Sequence, residues 1–177
     1  MKRVIWLVPA ILLFCVTAQA QETPAWEIFG GYSYLRANFS GPGSSFNLNG
    51  GAASITENVN SWFGARFEFS AFGGTVSGTN VTAQTFTFGP VFSYRKFDRL
   101  TPYGHMQLGA IHASRGYLGI STSDTKFAMA SGGGLDFKIK DRAAVRFQAD
   151  YLMTRFLNLR QDNLQLSIGL VIYFGRK

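Results

Sequence analysis

Two histidines and a small set of acids limit the chemistry this chain could perform. His112 and Ser114 stand two residues apart, a spacing that puts both on one face of a β-strand. A serine beside a histidine is the start of a hydrolase nucleophile, but the imidazole needs an acidic partner to orient it. The glutamates beyond position 20 are Glu22, Glu27, Glu57 and Glu68, none suitably spaced, and Asp124 is near only along the chain. His105 and His112 are seven positions apart, so on a strand they fall on opposite faces and share no metal. Gly132-Gly133-Gly134 does not lead from a strand into a helix and is no phosphate loop. No catalytic residue, cofactor or metal is expected.

The polar residues that remain recur at every second position between apolar ones. Arg66, Glu68, His105, Gln107, Asp136, Arg146, Gln148 and Asp150, with Lys126 and Lys138, all follow this rule. Period two means strands. Eight segments carry it, at about 26–36, 50–58, 62–72, 83–95, 102–113, 125–139, 143–155 and 163–174, with boundaries good to a few residues. The third is the clearest, with Phe63, Ala65, Phe67, Phe69 and Ala71 on one face and Gly64, Arg66, Glu68 and Ser70 on the other. The last, 164–174, alternates Leu164, Leu166, Ile168, Leu170, Ile172 and Phe174 with Gln165, Ser167, Gly169, Val171 and Tyr173. Connections after the second, fourth and sixth segments read as short. Those after the first, third and fifth read as long, rich in Gly, Ser and Thr, at 37–49, 73–82 and 114–124.

Composition agrees with β-structure. The 177 residues include 17 Phe, 7 Tyr and 20 Gly, with 46% hydrophobic and 15% charged residues, which excludes a disordered or collagenous chain. Residues 1–20 read as an export signal: Met1, Lys2 and Arg3 form a positive start, 4–16 an apolar run, and Ala18-Gln19-Ala20 a cleavage site. Cleavage after Ala20 leaves 21–177 as one domain. It also removes the only cysteine, Cys15, so a disulfide or thiolate site is excluded. Losing Lys2 and Arg3 takes the formal charge from +7 to +5. No Lys/Arg run of the nucleic-acid-binding kind remains. No later stretch reaches the roughly 18 apolar residues of a spanning helix.

Alternation alone does not say which face points inward. A soluble eight-stranded barrel would bury the apolar face, but these faces carry roughly thirty large side chains, while such an interior is only just wide enough for side chains to fill. Gly64, Gly89, Gly109, Gly132, Gly134 and Gly169 lie on the opposite face, where they would make room in a narrow lumen. The aromatic face therefore points outward to lipid. Trp26, Phe63, Tyr94, Phe137 and Phe174 gather at the short-turn end as an interfacial girdle. The expected fold is an all-β, eight-stranded antiparallel up-and-down transmembrane β-barrel.

The region after the signal resembles the small outer-membrane β-barrels of the OmpA-transmembrane-domain and OmpX kind. The resemblance rests on the opening Glu27-Ile28-Phe29-Gly30-Gly31-Tyr32-Ser33-Tyr34, on Phe88-Gly89-Pro90, on Gly132-Gly133-Gly134-Leu135-Asp136 and on the aromatic last strand. It implies insertion by the barrel-assembly machinery and a last-strand assembly signal, here Leu170, Ile172, Tyr173 and Phe174. Gly175-Arg176-Lys177 follow that signal, a departure from relatives that end on the aromatic itself.

Ten polar side chains in a narrow lumen should pair, and Glu68 with Arg66 or Arg146 is the expected core of a plug. Three roles stay open: a structural or surface-interaction barrel with a largely plugged lumen, a narrow porin-like diffusion channel, and a lipid A deacylase-like enzyme. Small deacylase barrels use a His and a Ser two apart on an outward face, which His112 and Ser114 resemble without the acid. The first role, with no reaction catalysed, is the reading taken. Expected partners are outer-membrane lipid and lipopolysaccharide, whose phosphates Arg115, Lys126, Arg155 and Arg160 could meet. A monomer is expected.

Overall fold

The computed structural model describes residues 23–38, 45–76, 78–117, 120–156 and 159–175. The expected signal, 1–20, lies outside them. Eight strands follow in order: β1 (Trp26–Asn38), β2 (Ser45–Asn58), β3 (Phe63–Val76), β4 (Thr79–Ser93), β5 (Leu100–Tyr117), β6 (Ile120–Lys140), β7 (Ala143–Phe156) and β8 (Leu159–Phe174). Each pairs antiparallel with its sequence neighbours, and β1 closes on β8 from Trp26↔Phe174 to Arg36↔Leu164. Closure satisfies the edge strands, without which a sheet cannot persist in hydrocarbon.

The faces follow from the alternation. Phe67, Phe86, Phe88, Phe92, Phe127, Phe147, Ile168 and Leu170 are exposed on the outside, while Arg66, Glu68, Thr87, Gln148 and Ser167 are buried within. Both strand termini and the turns at 59–62, 94–99 and 141–142 occupy one end, the terminal end. Trp62 stacks on Phe92 there and Tyr94 meets Phe97 edge-on.

The other end, here the hairpin end, departs from the sequence reading. The expected long connections are mostly strand: β3 and β4 pair as far as Val76↔Thr79, and β5 and β6 as far as Tyr117↔Ile120. Only 39–44, 77, 118–119 and 157–158 separate the described parts there. The cause is environmental. Beyond the bilayer both faces of a strand meet water, so Thr, Ser, Asn and Gly stand on both and the period-two signal vanishes while pairing continues. Gly78, at φ +77°, supplies the left-handed turn residue between β3 and β4.

The β5–β6 hairpin extends furthest. Pairing of β6 with β7 begins at Ala128↔Thr154, so among the described residues 120–127 are paired with β5 alone. A spanning strand needs about 9–11 residues, and β5 and β6 have 18 and 21.

Lumen glycines have a reason beyond free volume. A Cβ on Gly89, Gly109 or Gly169 would run into the carbonyl oxygen of Met106, Phe86 or Gly30 on the adjoining strand. Gly132 and Gly134 approach the carbonyl oxygens of Ala149 and Phe147 in the same way and also seat side chains: a Cβ there would strike the Asp150 carboxylate and the Tyr103 hydroxyl, respectively. Close approach of the adjoining strand accounts for all five, with lumen packing added at Gly132 and Gly134.

Candidate functional site

Among the described residues polar groups converge in the lumen, which is occupied at three levels. Nearest the terminal end, Arg146 on β7 faces Asp136 on β6 in register. Its Nε donates to Asp136 Oδ1 at 2.7 Å and its Nη2 to Asp136 Oδ2 at 2.6 Å. The same Nη2 reaches Glu27 Oε2 on β1 at 2.8 Å. Glu27 also accepts from Arg95 Nη2 and, at 2.9 Å, from Asn58 Nδ2, while Asn58 Nδ2 also donates to Pro24 O. Tyr173 donates to Asp136 Oδ2 at 3.4 Å. Two guanidiniums thus share two carboxylates, each oxygen having a donor. A charge inside a protein needs such an arrangement.

The middle level is built around Gln148. Its Oε1 accepts from the Tyr103 hydroxyl at 2.7 Å and from Arg66 Nη1 at 3.3 Å. Its Nε2 donates to Asp150 Oδ2 at 2.6 Å and to both oxygens of Glu68, at 3.2 and 3.1 Å. Arg66 Nε donates to Thr56 Oγ1 at 2.9 Å. Gln165 Nε2 links Glu68 to Ser70, and Thr87 donates to Gln107 Oε1. His105 Nε2 lies 3.0 Å from Asp150 Oδ1, within ion-pair reach but off hydrogen-bond alignment. Tyr103 joins the two levels: the Arg66 and Arg146 guanidiniums lie 4.6 and 4.5 Å from its ring centroid, a favourable placement for desolvated cations.

Towards the hairpin end the bore turns apolar. Leu35, Leu48, Phe72, Val81, Ile111 and Leu152, with Ala83, Ala128 and Ala130, form one buried cluster inside the barrel. A smaller one, Phe29, Ala52, Ala144 and Val171, lines the terminal end.

All eight residues singled out from the sequence, Arg66, Glu68, His105, Gln107, Asp136, Arg146, Gln148 and Asp150, are buried in this lumen. The pairing differs from the expectation. No ion pair within 4 Å joins Glu68 to Arg66 or Arg146; Glu68 is held by glutamines, and Glu27 and Asp136 take the arginine. Lys126 and Lys138 share the lumen parity but sit at the rims, paired with Asp124 at 3.0 Å and Asp141 at 3.6 Å.

Glu27, Asn58, Arg95, Tyr103 and the apolar cluster were not foreseen. Parity would have found most of them, since Phe72 continues Glu68 and Ser70, and Leu152 continues Gln148 and Asp150. Arg95 stands outside the strands, and no periodicity marks it. Of the last-strand residues, Leu170, Ile172 and Phe174 are exposed outward and Tyr173 turns inward. His112 faces outward, its Nδ1 2.8 Å from Thr125 Oγ1. Asp124 is one residue out of phase with that pair and belongs to the opposite face.

A family model for the outer membrane protein beta-barrel domain matches residues 7–171. The chain belongs to this family. Its place is accordingly the bacterial outer membrane. Solved barrels share the fold. Neisserial surface protein A is similar with a TM-score of 0.75 at 13% identity, over 87% of this chain and 99% of that one. Ail, the attachment invasion locus protein of Yersinia pestis, gives 0.60 at 21%, over 85% and 100%. OprG from Pseudomonas aeruginosa gives 0.59 at 10%, over 87% and 97%. No curated protein matches the chain. As a member of the outer-membrane barrel family, it carries its distinctive chemistry inside the bore.

Proposed function

We propose that the chain is exported with cleavage after Ala20 and acts as a closed barrel of the outer membrane, its role structural or interactive at the cell surface rather than conductive. One observation supports this reading: the bore is crossed from wall to wall by the Glu27–Arg146–Asp136 and Arg66–Gln148–Glu68 contacts, with the Leu35–Leu48–Phe72–Leu152 cluster on their hairpin side. Moving an ion through it would require breaking desolvated ion pairs, which costs several kcal/mol.

In this reading both termini face the periplasm and the hairpin end faces outward. The β5–β6 hairpin, its β6 edge without a second partner strand among the described residues over 120–127, is then the surface element, and an open strand edge is a template for an extended partner segment. Names among the similar structures, a surface protein and an attachment locus, fit such a role. Lipopolysaccharide is the proposed lipid partner at the hairpin end, and the assembly machinery the partner during biogenesis, acting on Leu170, Ile172 and Phe174. The barrel works as a monomer with no cofactor.

Planar-bilayer recording on the refolded barrel, checked first by an unboiled-versus-boiled gel shift, tests the closed bore. Only brief, small events are expected. Large steady openings would replace this reading with that of a diffusion channel.

A further inference from the structure

The terminal rim of the barrel is electrically lopsided. On the β1–β3 side the turn Val59-Asn60-Ser61-Trp62 has no charge, and the exposed charged side chain nearest it in sequence is Glu57. Trp26 and Trp62 supply the interfacial anchors there, both exposed. On the β4–β7 side the connection at 94–99 exposes Lys96, Asp98 and Arg99, and the β6–β7 hairpin exposes Lys138, Lys140, Asp141 and Arg142. These two stretches adjoin, because Lys138 N donates to Arg99 O at 2.9 Å.

The acids do not neutralise this set. Lys138 Nζ is 3.6 Å from Asp141 Oδ1, an exposed and loose contact. Among the described residues no acidic side chain lies within ion-pair distance of Lys96, Arg99, Lys140 or Arg142. Five cations therefore face two acids. Between them stand exposed apolar side chains, Tyr94 edge-on to Phe97, Phe137 edge-on to Phe147, and Ile139, the last 59% exposed. Lys96 Nζ lies over the Tyr94 ring at 5.7 Å.

Cations that only anchored the barrel at the polar boundary would be spread around its circumference. Among the described residues the exposed cations of this rim are confined to one side, which favours a ligand there. Resting on the orientation proposed above, which puts this rim at the periplasm, we propose that it binds the headgroups of anionic phospholipids in the periplasmic leaflet, the cations meeting phosphate and Phe97 and Ile139 entering the acyl boundary. A cell-wall polymer, the other anionic material on that side, would meet cations projecting away from the bilayer. These are interleaved with side chains that belong in it.

Each cation held near a charged lipid surface favours it about fivefold. The test is native mass spectrometry of the full folded barrel, reconstituted with equal phosphatidylglycerol and phosphatidylcholine and then extracted. The barrel is expected to retain phosphatidylglycerol preferentially. The preference should fall at least about fivefold in a K138Q/K140Q/R142Q variant and persist in Lys126→Gln at the opposite rim. Should the triple variant fail the gel-shift test for folding, K96Q/R99Q on the adjoining connection carries the same expectation. Equal retention of the two lipids, or a preference unchanged in a folded variant, overturns the proposal. So does co-sedimentation with purified peptidoglycan that these substitutions abolish while the lipid preference stays, which would assign the rim to the cell wall.

Discussion

Arg146 and Glu27 are 119 positions apart in the chain and 2.8 Å apart in the lumen. The contact spans β7 and β1, which are not hydrogen-bonded neighbours, so it forms only once the sheet has closed on itself through β8. Arg146 is 1% exposed, and its fork is engaged by Asp136 as well. Removing it would leave two buried carboxylates with less than their share of donors.

Arg146→Ala should therefore destabilise the folded barrel by about 3–5 kcal/mol, the usual result of breaking a buried pair from one side. Arg146→Lys should recover part of the loss, since a point charge replaces the charge but not the bidentate geometry. Urea unfolding in micelles, followed by the fluorescence of Trp26 and Trp62, reads this directly. A loss below about 1 kcal/mol, the worth of an exposed pair, would mean that water reaches the site.

The sequence discloses such a network only in part. Arg66, Glu68, Gln148 and Asp150 are legible as lumen residues because β3 and β7 each have one face in lipid and one in the bore, so hydrophobicity alternates cleanly. Glu27 is not, because β1 opens with Trp26-Glu27-Ile28-Phe29-Gly30-Gly31, where Phe29 on the lumen face and Gly30 on the lipid face blur the pattern. Partner choice is less legible still. Which carboxylate meets Arg146 depends on the stagger of eight strands around a closed sheet, and Glu68 falls at the level of the glutamines instead. Arg95, on a turn, becomes a lumen residue only through the path of the backbone.

Neighbouring glycines on β1 should respond in opposite ways. Gly30 has nothing within 4 Å of where a Cβ would stand, whereas at Gly31 a Cβ would meet the carbonyl oxygen of Ile168 and the Cα of Gly169 on β8. Gly30→Ala should be neutral or stabilising by a few tenths of a kcal/mol, and Gly31→Ala should cost about 1–3 kcal/mol, as overpacking against an immovable partner does. The same unfolding assay separates them. Equal effects would show that the β1–β8 seam can spread.

The apolar cluster at the hairpin end should matter to stability more than to closure. Leu48 and Leu152 are each 1% exposed and Phe72 is 4%, all inside the bore. Leu152→Ala should lose about 2–5 kcal/mol. Leu48→Ala with Phe72→Ala should loosen the hairpin-end cap while leaving the ion-pair levels below intact. Conductance should stay near that of the parent barrel, because the Arg146 and Arg66 levels still block the path. A large rise in the double variant would place the main barrier at the apolar level, contrary to expectation.

Phe174 supplies the last case, where assembly and stability should separate. It is 48% exposed on the lipid side, paired in register with Trp26 at the β1–β8 seam, and an aromatic truncation there removes girdle contact at the interface. Phe137 occupies the same girdle at 44% exposure but lies in β6, which is separated from the last strand by β7. If the last strand is read during insertion, Phe174→Ala should lower the amount of heat-modifiable, folded barrel in cells several-fold. Refolding of the same variant from denaturant into detergent should match that of Phe137→Ala. Because the two positions differ little as lipid anchors, the contrast between cell and detergent isolates recognition from stability. Equal yields of the two variants in cells would remove Phe174 from any assembly signal and leave it as a girdle residue.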